Sequence, residues 1–386
     1  MTTADESLID LSLEAAFRLG EVEVRPSSRE VAQGECRDVI EPRVMQVLVA
    51  LARRRGEVVS RDALIGACWG EYPGIVFDVE AELPELHALA AYYASKGGAL
   101  WAAEADGRVV GMIAVAPLGD GVWEICRLYV LLPWRGVALA HRLLDQAEAH
   151  ARARGATRLV LWSDTRFERA HSFYEKRDYV RSGPIRVLQD LSNTLEFGYA
   201  KPVDGVEVLD AAAAASAERR LAEILIACVD AGASVSYLPP LRADVARAFW
   251  RRTTADVVSG ERILLGGWRD GTMVGTVTLE LCAAPNQLHR CEVHKLLVHP
   301  AARRTGLGRA LMQALEDAAR QAGRDLLVLD TRAGDFGERL YRAEGWIECG
   351  RIPDFAVNAD GTLCETVLFR KRLALASTPP TSAPRN

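Results

Sequence analysis

Residues 292–332 read EVHKLLVHPAARRTGLGRALMQALEDAARQAGRDLLVLDTR, and their order decides the fold. Glu292–Val298 is strand-like. Pro300 to Thr305 is a polar turn. Gly306–Ala322 carries Leu307, Leu311, Leu315 and Ala318 at three- and four-residue spacing, the apolar stripe of an amphipathic helix. Gly323 stops that helix, because glycine takes the left-handed conformation that ends one. Leu326–Asp330 is a short apolar run, read as a buried strand. Strand, helix and strand in this order imply a right-handed parallel unit inside a mixed sheet.

Working outward, Ile263–Gly267 and Met273–Leu281 are strand-like, and Asp270-Gly271 between them is a hairpin turn signal. Phe336–Ala343 is a short helix, Gly345 follows it, and Thr366–Phe369 closes the unit as a strand. The same landmarks occur earlier in the chain. Glu124, Arg127–Val130, Arg135, Asp164-Thr165-Arg166 and Tyr174 precede Glu292, Lys295–Val298, Arg303, Asp330-Thr331-Arg332 and Tyr341 by 166 to 168 residues. A period that long exceeds any solenoid unit, so it means two copies of one domain. Lys201–Gly205 is read as the linker between them.

The run Arg303-Arg304-Thr305-Gly306-Leu307-Gly308 joins the strand to the helix. Glycines there let a ligand approach the backbone. The first amides of a helix lack partners and favour an anion, and two arginines add charge. A phosphate cradle or a plain tight turn with a solvated basic edge both fit that spacing. Taken with Leu296–Val298 before it, and with Leu329–Arg332 and Leu340–Trp346 after it, the cradle resembles the acetyl-CoA signature of the GNAT acetyltransferases. The resemblance covers most of residues 204–373. Glu292–Val298, Asp330-Thr331, Pro353–Phe355 and Asp360-Gly361 look closest to the tabtoxin-resistance acetyltransferase. It implies acetyl-CoA as co-substrate, held by Leu297, Val298, Arg303, Arg304, Thr305, Gly306, Leu307 and Gly308, with pantetheine between the two parallel strands.

Acyl transfer to an amine needs a neutral nucleophile and a stabilised leaving thiolate. A carboxylate of ordinary pKa facing an ammonium is about six units uphill, about 8 kcal/mol. The base must therefore be desolvated, act through water, or meet an amine already neutral. Glu292 and Asp330 are the candidates, on adjacent strands. Each has a plainer reading, as an exposed strand residue and a strand-end or capping residue. Tyr341 is the candidate hydrogen-bond donor to the thiolate, against the alternative of a packing tyrosine. His294 is a further base candidate, more simply a structural neighbour. Both carboxylates and the Tyr341 hydroxyl are expected to line one cavity beside Gly306.

The first copy departs from the pattern. Arg135-Gly136-Val137-Ala138-Leu139-Ala140 stands at the cradle, with Ala138 and Ala140 in the glycine positions, which argues against ligand binding there. Before it, Phe17–Val24, Pro42–Arg53, Val58–Leu64 and Cys68–Gly70 resemble the winged-helix DNA-binding domain of response regulators. That likeness stops before the recognition helix, and major-groove reading requires such a helix. Specific DNA binding is therefore not expected.

A net charge of −5 supplies no basic field for nucleic acid or membrane surfaces. The eight cysteines, at 36, 68, 126, 228, 282, 291, 349 and 364, form no C-x-x-C pair, so no metal is expected. They read as buried apolar groups in a reducing cytoplasm. No run approaches the ~20 apolar residues of a membrane span, and Met1–Glu6 lacks a basic leader. The expected architecture is α/β. Residues 1–71 form a truncated winged-helix-like segment, 72–203 a degenerate first GNAT domain, 204–374 a catalytic second, and 375–386 a disordered tail. The expected function is acetylation of a small-molecule amine, with the two domains packed together. Rival readings are a DNA-binding regulator that senses acetyl-CoA and an inactive tandem scaffold.

Overall fold

The computed structural model describes residues 11, 14–19, 22–33, 36–39, 45, 49, 52, 53, 88–188 and 194–374. The chain divides into two compact units: Met1–His87 with Val187–Leu195, and Ala88–Arg186 with Glu196–Asn386.

In the first unit β1 (Phe17–Leu19), β2 (Val22–Arg25), β3 (Glu30–Gln33) and β4 (Cys36–Val39) pair in sequence as an antiparallel sheet. Met45 and Val49 are helical and buried, four residues apart on one helix face. Of the expected helix Pro42–Arg53, only Met45, Val49, Ala52 and Arg53 are described. The expected elements Val58–Leu64 and Cys68–Gly70 lie outside the described residues.

In the second unit the first copy begins with α1 (Leu89–Ser95), β5 (Ala99–Ala105), β6 (Arg108–Gly119) and β7 (Val122–Val130). It continues through α2 (Leu139–Ala153), β8 (Arg158–Asp164), α3 (Glu168–Glu175), β9 (Val180–Arg181), β10 (Arg186–Val187) and β11 (Leu195–Pro202). The strand order is β10-β11-β8-β7-β6-β5, with β9 also on β11.

The second copy opens with β12 (Gly205–Leu209), α4 (Ala211–Ser216), α5 (Glu218–Asp230), α6 (Ala243–Ser259), β13 (Arg262–Arg269) and β14 (Thr272–Leu281). Then follow β15 (Arg290–Val298), α7 (Leu307–Gln321), β16 (Leu326–Arg332), α8 (Phe336–Ala343), β17 (Ile347–Val357) and β18 (Leu363–Arg372). Its order is β12-β13-β14-β15-β16-β18-β17. In each sheet one pair is parallel, β7 with β8 and β15 with β16, on either side of the crossover helix.

The second sheet is covered on both faces. Cys291, Val293, Leu327 and Leu329 point to one face and pack with Leu307, Leu311, Leu315, Tyr341 and Trp346 of the α7–α8 layer. Leu264, Trp268 and Leu297 point to the other and pack with Leu221, Leu225 and Trp250 of the α4–α6 layer. Each buried Leu or Val contributes about 1.5–3 kcal/mol. A Cβ on Gly275 would stand 2.9 Å from Leu307 Cδ2 and from Leu311 Cδ1. The absence of that carbon seats α7 directly on the sheet and so fixes where its N-terminus lies.

The expected linker is a correction. Lys201 and Pro202 belong to β11, Gly205 opens β12, and only Val203-Asp204 intervene. Lys201 is 2% exposed; its Nζ lies 2.8 Å from Glu148 Oε1 and donates to Arg177 O at 3.0 Å. A lysine can sit there because its ammonium is paired and hydrogen-bonded. The copies meet where Trp268 Nε1 donates to Asp178 O at 3.2 Å. Among the cysteines, Cys228 and Cys291 are buried as expected, but Cys349 is exposed on the long edge strand β17.

Candidate active site

β15 and β16 pair at only three positions: Arg290 with Leu326, Cys291 with Leu327 and Glu292 with Val328. Beyond Glu292 the two strands part. β15 follows β14 through a bulge, where the register shifts between Thr276 and Thr278 and Lys295 takes φ 52°. A bulge bends the strand that carries the extra residue. β16 stays on β18 as far as Arg332, opposite Thr366. The sheet therefore opens into a V between Val293–Val298 and Leu329–Arg332. Strand groups lining it have no ladder partner across the gap.

The cradle residues stand at the open end of that V. A short turn, Pro300–Ala302, leads from β15 to Arg303. Arg303 Nε donates to Val298 O at 3.4 Å, and Thr305 Oγ1 donates to Ala302 O at 2.8 Å. Arg304 and Gly306 both have positive φ, 64° and 83°. Ala310 is the first helix amide with a backbone acceptor, Gly306 O at 3.1 Å. The amides of Leu307, Gly308 and Arg309 find none among the described residues. A Cβ on Gly306 would meet nothing within 4 Å, so space is open at the point where those amides gather. Arg303 and Arg304 are exposed beside it, whereas Leu297 and Leu307 are buried in the cores on the two faces of the sheet. Free amides, a helix N-terminus and two exposed guanidinium groups fit a pyrophosphate.

Strand parity settles the carboxylates. Glu292 pairs with Val328, two residues before Asp330, and Cys291, Val293, Leu327 and Leu329 occupy the α7–α8 face. Glu292, His294 and Asp330 thus share the other face, near the apex of the V. His294 Nε2 lies 3.5 Å from Glu280 Oε2 and 3.9 Å from Glu292 Oε1. Burial lowers the His294 pKa, against the pull of Glu292 and Glu280, so its imidazole is neutral near pH 7 and can accept a proton. Asp330 is exposed, and its Oδ2 accepts from Thr366 Oγ1 at 3.1 Å.

Tyr341 departs from the expected common cavity. It lies on the α7–α8 face, 6% exposed, with ring centroids 5.8 Å from Trp346 and 6.0 Å from Phe369. Burial, with Asp330 and Asp335 nearby, pushes its phenol well above the ordinary range, so it stays protonated. The gap between β15 and β16 is the passage that would join it to the carboxylates.

One cation beside these carboxylates has no counterpart in the sequence reading. The bulge turns Lys295 toward α6, where Nζ stands 5.8 Å from the Tyr237 ring centroid and 5.4 Å from that of Phe249. It also donates to Val235 O at 2.8 Å. Burial lowers its pKa, against Asp330. A positive φ on a non-glycine residue leaves no mark in the sequence, although the repeat does align Lys295 with Arg127, which also has positive φ, 55°.

The first copy keeps the frame and changes the groups. β7 and β8 pair at Val122–Arg158, Trp123–Leu159 and Glu124–Val160 and then part. Gly136 and Ala138 have φ 82° and 60°, so the loop repeats the two left-handed positions with alanine at the second. Asp164 is engaged by Arg166, through the backbone amide at 2.9 Å, Nε at 2.8 Å and Nη2 at 2.5 Å. In the second copy Arg332 turns away, to Asp335 Oδ2, Asn358 Oδ1 and Gly232 O.

Comparison with known proteins agrees with this doubling. The chain is similar to an uncharacterised N-acetyltransferase encoded in the hisH–hisA intergenic region of Azospirillum brasilense, 34% identical over 106 residues, which is 27% of this chain and 61% of that protein. It is similar to the uncharacterised N-acetyltransferase YjgM of Escherichia coli K12, 36% identical over 95 residues, 24% of this chain and 57% of that one. The chain thus spans about three fifths of the length of these curated relatives. A GNAT superfamily phosphinothricin acetyltransferase from Sinorhizobium meliloti, solved with acetyl-CoA, aligns at 18% identity and a TM-score of 0.39, covering 47% of this chain and 94% of that one. An N-acetyltransferase from Staphylococcus aureus Mu50 aligns at 16% identity and a TM-score of 0.37, covering 44% and 98%. The family model for GNAT acetyltransferases matches twice, at residues 65–179 and 234–346, more than half of the chain, and the chain belongs to that family.

Proposed function

We propose that the second copy is an acetyl-CoA-dependent N-acetyltransferase for a small-molecule amine. The observation that carries this reading is the V between β15 and β16, with free helix amides at its open end and Glu292 and Asp330 near its apex. Acetyl-CoA, when bound, supplies the activated acetyl group. Its pyrophosphate would be held by the Leu307, Gly308 and Arg309 amides with Arg303 and Arg304. Glu292, beside neutral His294, takes the proton of the incoming amine. Asp330 shares that work across the gap. Tyr341, kept protonated by burial, gives a hydrogen bond to the sulfur. Even an ordinary phenol near ~10 facing a thiol near ~8.5 is uphill by about 2 kcal/mol for full transfer, and burial raises Tyr341 further, so donation without transfer is the lower path.

The first copy is a packing partner without turnover, because the carboxylate equivalent to Asp330 is already held by Arg166. The likeness of the second copy to the tabtoxin-resistance acetyltransferase, and of residues 1–71 to a truncated winged helix, belong to this reading as proposals. The test is release of free thiol from acetyl-CoA with a panel of amines. Turnover that falls about 10²-fold in Glu292→Gln, with unchanged KM for acetyl-CoA, supports the assignment. Tight acetyl-CoA binding without thiol release across the panel supports the inactive scaffold instead.

A further inference from the structure

Lys295 is a half-buried cation that the acyl-transfer chemistry does not use. It stands on the bulge of β15, on the same sheet face as Glu292 and Asp330 and like them near the apex of the V. Among the described residues it forms no ion pair. Its fixed contacts are the Val235 carbonyl and the faces of Tyr237 and Phe249. Asp330 acts on it only from beyond ion-pair distance. A lysine ammonium has three donors, and one carbonyl satisfies one of them. A cation withdrawn from water and left without a counter-ion is costly, and the cost is relieved when an anion arrives.

The equivalent position in the first copy shows the contrast. Arg127 donates to the phenol oxygens of Tyr93 and Tyr129. At Lys295 the neighbouring aromatics present ring faces instead. The loop that carries Val235 is also tied down by Arg332, which donates to Gly232 O at 3.0 Å. Arg332 is engaged with Asp335 as well, and Arg262 with Asp256 and Glu280, so among the described cations here Lys295 keeps unused donors.

We propose that the acceptor amine carries a carboxylate and that Lys295 is the specificity-determining residue that binds it, so that the substrates are amino acids rather than simple amines. One ammonium beside Asp330 matches a monoanion. Arg262, the other cation that acts on Lys295, is already paired with Asp256 and Glu280, so the second charge of a dianionic phosphate meets no unpaired cation here among the described residues. The inference rests on the acyl-transfer reading above and adds the acceptor class.

The test compares L-amino acids with their primary carboxamides at fixed acetyl-CoA, by thiol release. Wild type should prefer the acid by about tenfold or more in kcat/KM, the scale of one charge-assisted hydrogen bond. Lys295→Met should bring the ratio close to one, Lys295→Arg should keep most of it, and acetyl-CoA affinity by calorimetry should be unchanged in both. Equal use of acid and amide by wild type, or an unchanged ratio in Lys295→Met, overturns the inference while leaving acyl transfer intact. Failure of acyl transfer looks different: no thiol is released with either series. In that event calorimetry of N-acetylated amino acids against their amides, on the CoA-loaded protein, still decides the matter. Selective binding of the acid that is lost in Lys295→Met upholds the inference, and equal or absent binding of the acid overturns it.

Discussion

Asp164 and Asp330 stand at equivalent positions of the repeat, each followed by Thr-Arg, yet their surroundings predict opposite consequences of the same change. Asp330→Asn removes a charge from an exposed side chain that accepts a hydrogen bond from the Thr366 hydroxyl, and an amide oxygen can still accept that bond. The stability cost should stay under about 1 kcal/mol. If Asp330 shares the deprotonation, kcat should fall by about 10²-fold. Asp164→Asn breaks a forked, charge-assisted contact with Arg166 in a side chain that is 8% exposed. That should cost about 2–3 kcal/mol, or about 5–10 °C in Tm, with kcat unchanged. Thermal unfolding and thiol release on both variants make the comparison. Full activity in Asp330→Asn would reduce Asp330 to a strand-end residue and leave Glu292 as the base. Lost activity in Asp164→Asn, with Tm intact, would refute the view that the first copy takes no part in the chemistry.

Three further outcomes follow from named contacts. Gly306→Val should abolish high-affinity CoA binding, leaving no strong site in calorimetry of the intact chain, because Gly306 is left-handed (φ 83°) and a β-branched residue strains there while its Cβ enters the cradle. Two equal sites in the wild type would contradict the ranking of the copies. Tyr341→Phe should lower kcat without altering the acidic limb of the pH–rate profile, since the phenol stays protonated and the base is untouched. Asp178, between the copies, has its pKa raised to about 6, chiefly by burial and despite Arg220. A carboxylate with a raised folded pKa contributes stability below its unfolded pKa near ~4 and loses it as pH rises through about 6. Asp178→Asn, which tolerates the φ of 65°, should therefore flatten the fall of Tm between those values, and an unchanged slope would refute the assignment.

Much of the second copy was legible because its signals are local. The stripe Leu307, Leu311, Leu315 and Ala318 is a property of one helix, and all four are buried. Asp270-Gly271 forms the expected hairpin, with φ of 50° and 71° at the two residues. Phe336–Ala343 is a helix between the predicted bounds. The doubling needed only a constant offset between landmarks. The long edge strand β17 escaped notice, since Ile347–Val357 is mostly exposed and interrupted by two register shifts, so it carries no clean alternation.

Contacts between segments distant in sequence decided the rest. The sequence by itself determined that two like domains exist, that each folds through strand, helix and strand, and that a glycine cradle opens the second crossover. It could not say that Glu292 and Asp330 share a sheet face while Tyr341 lies on the other, because parity depends on which residues pair across strands 36 positions apart, as Glu292 does with Val328. Nor could it say that Arg166 closes on its aspartate while Arg332 turns to Gly232, 100 residues away. The same three letters are read twice with different partners. Lys201 reads as a linker residue and is buried against Glu148; Lys295 reads as a strand residue and is turned by a bulge toward an aromatic wall. In each case the deciding quantity, a burial or a backbone angle, is set by packing that brings distant segments together.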